Sequence, residues 1–140
     1  MKFRFFAASL FATTLLASGP AHAGWDPPAC AKTETLEFLT VGAEAGEHWS
    51  TVWLVVLQDQ VYLRFGSRAA DRFRNSKRWP YTDLRINGET FANVRLDEAP
   101  DMAAPVAAAM AEKYWFDVIA RQLEHPLTVR AVVAAVPAPR

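Results

Sequence analysis

The chain has 140 residues, of which 51% are hydrophobic, 12% aromatic and 21% charged; this suits one globular domain with a single core and excludes both a second domain and general disorder. Lysine plus arginine and aspartate plus glutamate each number 15, so net charge offers nothing to a nucleic acid. Composition alone implies no function.

Residues 1–23 read as three zones: a basic start with Lys2 and Arg4, an apolar run from Phe5 to Leu16, and small residues ending in Ala21-His22-Ala23. This is the pattern of a cleavable secretory signal. The run falls short of the roughly 20 residues that cross a bilayer as a helix, so cleavage after Ala23 is expected rather than anchoring. No paired arginine stands in the start, and the chain is expected to cross unfolded into the periplasm or beyond, with no membrane contact after cleavage. Losing Lys2 and Arg4 leaves the mature chain slightly acidic. Cys30 is the only cysteine, which rules out an intramolecular disulfide and leaves burial, capping or intermolecular pairing open. Its Pro-rich neighbours Pro27 and Pro28 favour an incidental thiol in a flexible segment.

Residues 24–46 form a lead-in, in which Thr35 to Leu39 suits a short helix or strand. A domain follows over residues 47–136, and 137–140 is a tail. Ser50 to Leu57 is β-branched, aromatic and apolar on both alternating faces, as in a fully buried strand. After the polar turn Gln58-Asp59-Gln60, Val61, Leu63 and Phe65 alternate with Tyr62 and Arg64, making a hairpin with Arg64 on the second face. Gly66 ends that strand, and Ser67 is placed to cap a short helix running to Asn75.

Asn87-Gly88 is the clearest local signal, since both residues tolerate the positive φ of a type I′ turn; a two-residue loop sets Leu84 opposite Phe91 and Arg85 opposite Thr90. Asp101 is a candidate cap for an amphipathic helix over about 103–124, marked by Met110, Tyr114 and Val118 at helical spacing. Pro126 stops it, and Leu127 to Ala134 alternates as a last strand. The pattern predicts an α+β fold: one domain, a mostly antiparallel barrel with flanking helices that hide its edges.

Few chemistries suit these residues. His48 and His125 are the only mature-chain histidines and lack metal-ligand spacing, so no metal site is expected. His48 suits an exposed loop better than a haem or ligand contact. Phe65-Gly66-Ser67-Arg68-Ala69 supplies only half of a nucleophile elbow, and no nucleotide-binding glycine loop is present. No catalytic residue is assigned. What remains is a basic cluster at the strand-to-helix junction: Arg64, Ser67, Arg68, Arg72, Arg74, Asn75, Lys77 and Arg78. Glycine turns, helix starts and guanidinium groups hold phosphates, although most such charges are solvated surface. Arg64 stands apart because it projects from a strand. Trp53, Tyr62, Trp79 and Trp115 suit stacking on a ring, or more simply core packing.

The series Thr51 to Val56, Val61-Tyr-Leu-Arg-Phe-Gly-Ser67, Arg74-Asn75, Leu84-Arg-Ile-Asn-Gly88, Glu112-Lys-Tyr114 and Thr128 to Ala134 resembles the split-barrel superfamily of pyridoxamine phosphate oxidase, most closely a branch near the deazaflavin-dependent nitroreductases. The resemblance implies a six-stranded split barrel, commonly a homodimer, binding flavin mononucleotide or a deazaflavin. It implies that Arg64, Ser67, Arg74 and Asn75 converge on the phosphate of a small-molecule ligand, with Arg72 or Lys77 at the rim. Arg72 stands where the branch tends to place tryptophan, and the export signal departs from cytoplasmic cofactor loading. Two functions remain open: a flavin-type oxidoreductase, or a cofactor-free exported binding or interaction module on the same barrel.

Overall fold

The computed structural model describes residues 24–114 and 127–133. The signal-like segment, residues 115–124 of the expected helix, Trp115, His125, Pro126 and the tail lie outside the described residues. Six strands, β1 (Thr35–Gly42), β2 (Gly46–Leu57), β3 (Gln60–Phe65), β4 (Tyr81–Ile86), β5 (Glu89–Glu98) and β6 (Leu127–Val132), are joined with helices α1 (Ser67–Arg74) and α2 (Ala103–Lys113). Every strand pair is antiparallel, and the order β1-β2-β3-β6-β5-β4 closes into a barrel. Thr35 to Leu39 is thus strand, and the first staple of the barrel comes from the 24–46 segment.

Hairpin chemistry sets the registers. Asn87 and Gly88 have φ of 51° and 83°, and Leu84 faces Phe91 while Arg85 faces Thr90, as the two-residue loop demands. Gln58 and Asp59 also adopt positive φ, 51° and 58°, turning β2 into β3 with Leu57 opposite Gln60.

Alternation then sorts side chains between two cores. Leu36, Phe38, Val52, Leu54, Val61, Leu63, Phe65, Leu84, Val94, Leu96, Val129 and Ala131 fill the barrel. The opposite face of β2 and β3, with Trp53, Val55 and Tyr62, packs under Val106 and Met110 of α2 and Tyr114 at its C-terminal cap. Ser50 to Leu57 is therefore apolar on both faces because one lines the barrel and the other meets a helix. Its burial is incomplete, however, since Thr51 is exposed and Ser50 half-buried.

Each barrel end is plugged. At one, Ala70 and Phe73 of α1 enter the core, Phe73 lying edge-on to Phe65 at 5.6 Å, which stacks on Phe38 at 4.6 Å. At the other, Trp25 meets Phe91 edge-on at 5.2 Å and a 3-10 turn at Pro28–Cys30 buries Cys30. The cysteine is hence a core residue, not part of a flexible tether; apolar burial outweighs the extended preference of its prolines.

Two expected caps are absent. Gly66, not Ser67, is the N-cap of α1, and it makes no side-chain cap bond; Ser67 has already turned helical and is exposed. Asp101 lies inside a 3-10 turn, Pro100–Met102, which leads into α2 with Met102 as N-cap. Among the described residues no helix is long and apolar enough to cross a membrane.

Candidate functional site

The outer face of β3 and β6, close to the end plugged by α1, carries Arg64 and Arg130. Arg64 pairs with Thr128 and Tyr62 with Arg130 across the two strands. Extending the Leu54–Leu63 register by one residue sets Trp53 across from Arg64, and the Trp53 ring stacks on Tyr114 at 5.2 Å and 21°. A half-buried guanidinium beside a half-buried indole results. Arg64 has no hydrogen bond or ion pair among the described residues, and burial lowers its guanidinium from its usual value, because a desolvated cation without a counter-charge is disfavoured.

Beside it on β6, Arg130 lies across from Asp97. Asp97 is taken by Arg95, at 2.7 and 3.0 Å, so Arg130 stays 3.9 Å away from it. Arg130 Nε is buried without a hydrogen-bond partner.

Of the remaining candidate residues, Arg72, Arg74 and Asn75 already have partners within the protein. Residues on a helix advance about 100° each, so with Phe73 turned into the barrel, Arg72 and Asn75 share one side of α1 while Arg74 faces another. Arg74 makes a two-point ion pair with Glu98 at 2.9 and 3.3 Å. Arg72 donates to His48 Nε2 at 2.7 Å; since a guanidinium only donates, the ring proton of His48 sits on Nδ1. Asn75 is the C-cap of α1, its backbone N–H and its side chain both donating to Asp71 O. Lys77 donates its backbone N–H to Val41 O at 2.8 Å, with its side chain exposed, and the Ser67 hydroxyl is exposed at the helix start.

Arg72 and Asn75 do share a groove of about 410 Å³ with Asp71, His48, Thr40 and the hairpin tip Gly42 to Gly46. Neither Arg64, Ser67, Arg74 nor Lys77 lines it. Asp71 sits beside Arg72 there, so the groove offers a mixed rather than an anion-selective lining.

Lys113 and Tyr114 serve the scaffold. Beyond the start of β1 the carbonyl of Leu54 has no strand partner, and it accepts from Lys113 Nζ at 3.0 Å and from Tyr114 Oη at 2.8 Å. Burial lowers the Lys113 ammonium and pushes the Tyr114 phenol up to about 12. Among the described residues no group of three or more histidine, cysteine or carboxylate side chains is placed to hold a metal.

No family model matches the chain, and no curated protein matches it. Solved structures do. HutZ, the heme storage protein from Vibrio cholerae, is similar with a TM-score of 0.52 at 18% identity, over 70% of this chain and 80% of its own. A domain-swapped dimer reaches 0.53 at 10% identity, over 71% and 81%. An F420-H2 dependent reductase, FDR-A, gives 0.50 at 13% identity, over 71% and 95%. The fold is a split barrel. At these identities the likeness concerns the path of the backbone, and a function has to be argued from the split barrel's own side chains.

Sequence reasoning singled out Arg64 and Trp53 but not that they are neighbours, and it passed over Arg130 as the polar half of a strand. The alternation Thr128-Val129-Arg130 was visible; only the β3–β6 register reveals what Arg130 stands beside.

Proposed function

We propose that this chain is an exported split-barrel protein that binds a planar, anion-bearing ligand of flavin type on the outer face of β2, β3 and β6, Arg64 holding the acidic group beside the Trp53 ring. The observation that carries the reading is Arg64: a half-buried guanidinium with no counter-charge among the described residues, beside an aromatic surface. Such a cation is stabilised by an incoming phosphate or carboxylate. Two of the fold neighbours support the ligand type, since one is named for heme and the other for F420-H2. A flavin or deazaflavin held there supplies hydride chemistry of its own; the residues of this chain bind and orient it. Export follows from the signal-like residues 1–23, and an intact mass beginning at Gly24 is the expected result. A homodimer is part of the same reading, supported by the dimeric fold neighbour, and light scattering tests it.

Titration of flavin mononucleotide into wild type and Arg64→Ala is the deciding experiment. Saturable binding weakened about 10- to 100-fold in the variant is expected, the scale of a hydrogen bond to a charged group. No wild-type binding at millimolar flavin overturns the reading in favour of a cofactor-free exported module. One observation favours that second reading: Arg72, Arg74 and Asn75, three of the groups the phosphate was expected to meet, are engaged within the protein.

A further inference from the structure

We propose that the groove between α1 and the β1–β2 hairpin is a second binding site, and that it takes a free α-amino acid with an aliphatic side chain. Arg64 does not line this groove, and the inference does not rest on the ligand reading above.

The arrangement of charge on one helix carries it. Around the axis of α1, Asn75 lies about 40° and Arg72 about 100° from Asp71, so one strip presents a carboxylate, an amide and a guanidinium in turn, and all three line the groove. Asn75 Nδ2 donates to the Asp71 backbone oxygen at 2.9 Å, which leaves Asn75 Oδ1 to accept. The Asp71 carboxylate has no hydrogen bond or ion pair among the described residues. Arg74 feels its charge but gives its guanidinium to Glu98. Arg72 donates through Nη1 to His48 Nε2 at 2.7 Å. A neutral imidazole so placed steadies the guanidinium without cancelling its charge, and uses one of its five N–H donors.

Opposite charges side by side in one groove select a zwitterion. A simple anion meets the like charge of Asp71 and a simple cation that of Arg72, and like-charge juxtaposition weakens binding. An ammonium and a carboxylate on the same carbon answer both at once. The ammonium has three N–H donors for Asp71 and Asn75 Oδ1, and the carboxylate accepts from Arg72. Across the groove the hairpin tip offers Ala43, Ala45 and two glycines, a small apolar wall against which an aliphatic side chain rests. The volume of about 410 Å³ lies at the low end of ligand sites, about 300–1,000 Å³. A single small metabolite suits that size.

The test titrates the full mature protein at pH 7 and matched ionic strength with three probes: L-leucine, N-acetyl-L-leucine, which keeps only the carboxylate charge, and L-leucinamide, which keeps only the ammonium. The expected result is that the Arg72 Nε–H and the Ala43 and Ala45 methyl resonances shift saturably with leucine at millimolar concentration or below. Each capped probe is expected to bind about tenfold more weakly or worse, the scale of one lost hydrogen bond to a charged group. Asp71→Asn is expected to remove the preference over N-acetyl-leucine, and Arg72→Gln the preference over leucinamide. Ala45→Trp fills the groove while keeping both charges; it is expected to abolish binding, and it serves if a helix variant fails to fold. Equal binding of the three probes overturns the proposal, as does leucine that fails to saturate at tens of millimolar or that still binds Ala45→Trp. Flavin binding without leucine binding strikes only this inference, and leucine binding without flavin binding strikes only the ligand reading.

Discussion

Thr82 uses its hydroxyl to hold both backbone groups of Leu39: the Leu39 N–H donates to Thr82 Oγ1 at 3.0 Å, and Oγ1 donates to Leu39 O at 2.7 Å. The β1–β4 ladder pairs only Glu37 with Arg85 and Phe38 with Leu84, and a register irregularity lies between Thr82 and Leu84. A side chain thus continues the seam where strand pairing stops. Ser76 repeats the device two residues on, accepting from Val41 N at 3.0 Å. Because Thr82 is fully buried, Thr82→Val keeps the volume and strands both Leu39 groups. A loss of about 1–3 kcal/mol is expected, read as a lowered urea midpoint at unchanged slope, with faster amide exchange at Leu39. An unchanged midpoint would mean that the barrel closes without this seam.

The turn between β2 and β3 places two non-glycine residues, Gln58 and Asp59, in the left-handed region. Left-handed backbone costs an ordinary residue about 1–2 kcal/mol, and asparagine and glycine much less. Replacing Gln58-Asp59 with Asn-Gly is expected to raise stability by about 0.5–1.5 kcal/mol, less than the full strain because glycine also loosens the unfolded chain. A thermal melt checks the sign.

Alkaline stability is expected to depend on Tyr114. Its phenol is pushed up to about 12, first by burial, against an ordinary value of 10.0. The folded state therefore prefers the neutral form more strongly than the unfolded state does. That contribution is complete below pH 10 and is lost as the pH rises through 12. Lys113 opposes it, since its lowered value yields stability as the pH rises toward 10.5. Tyr114→Phe is expected to cost about 1 kcal/mol at neutral pH through its lost hydrogen bonds, and to flatten the loss between pH 10 and 12. Chemical denaturation at pH 8, 10 and 11.5 reads both effects. A variant with the wild-type slope would assign the alkaline loss elsewhere.

Arg74 is expected to matter little. Its pair with Glu98 is solvent-exposed on both sides, 48% and 40%, where such pairs contribute between nothing and about 1 kcal/mol. Arg74→Ala is expected to change flavin affinity less than twofold, in contrast to Arg64→Ala. A tenfold loss would return Arg74 to the phosphate site, where family resemblance had placed it.

The hairpin geometry was legible because it is local. Asn87-Gly88 admits few turns, and a period of two then sets Leu84 against Phe91 without knowledge of the rest of the chain. The same alternation turned Val61, Leu63 and Phe65 inward and left Arg64 outside. It also foretold that Ser50 to Leu57 would be apolar on both faces, though not that one lines a barrel and the other lies beneath α2.

The sequence by itself determined most of the strands and the short helix after β3, because periodicity, turn residues and prolines act within a few positions, but it left Thr35 to Leu39 between helix and strand. Only the tertiary structure decided how the polar side chains are used. His48 and Glu98, the partners of Arg72 and Arg74, each lie 24 residues away along the chain, and the Leu39 partner of Thr82 lies 43 residues away. Cys30 became core because a barrel end needed covering, and among the described residues Arg64 has no counter-charge, its cross-strand neighbour being Thr128 rather than a carboxylate. Whether an arginine is a scaffold contact or a free binding group depends on the partner that folding brings within hydrogen-bond reach, about 3 Å, and spacing along a chain does not encode that distance.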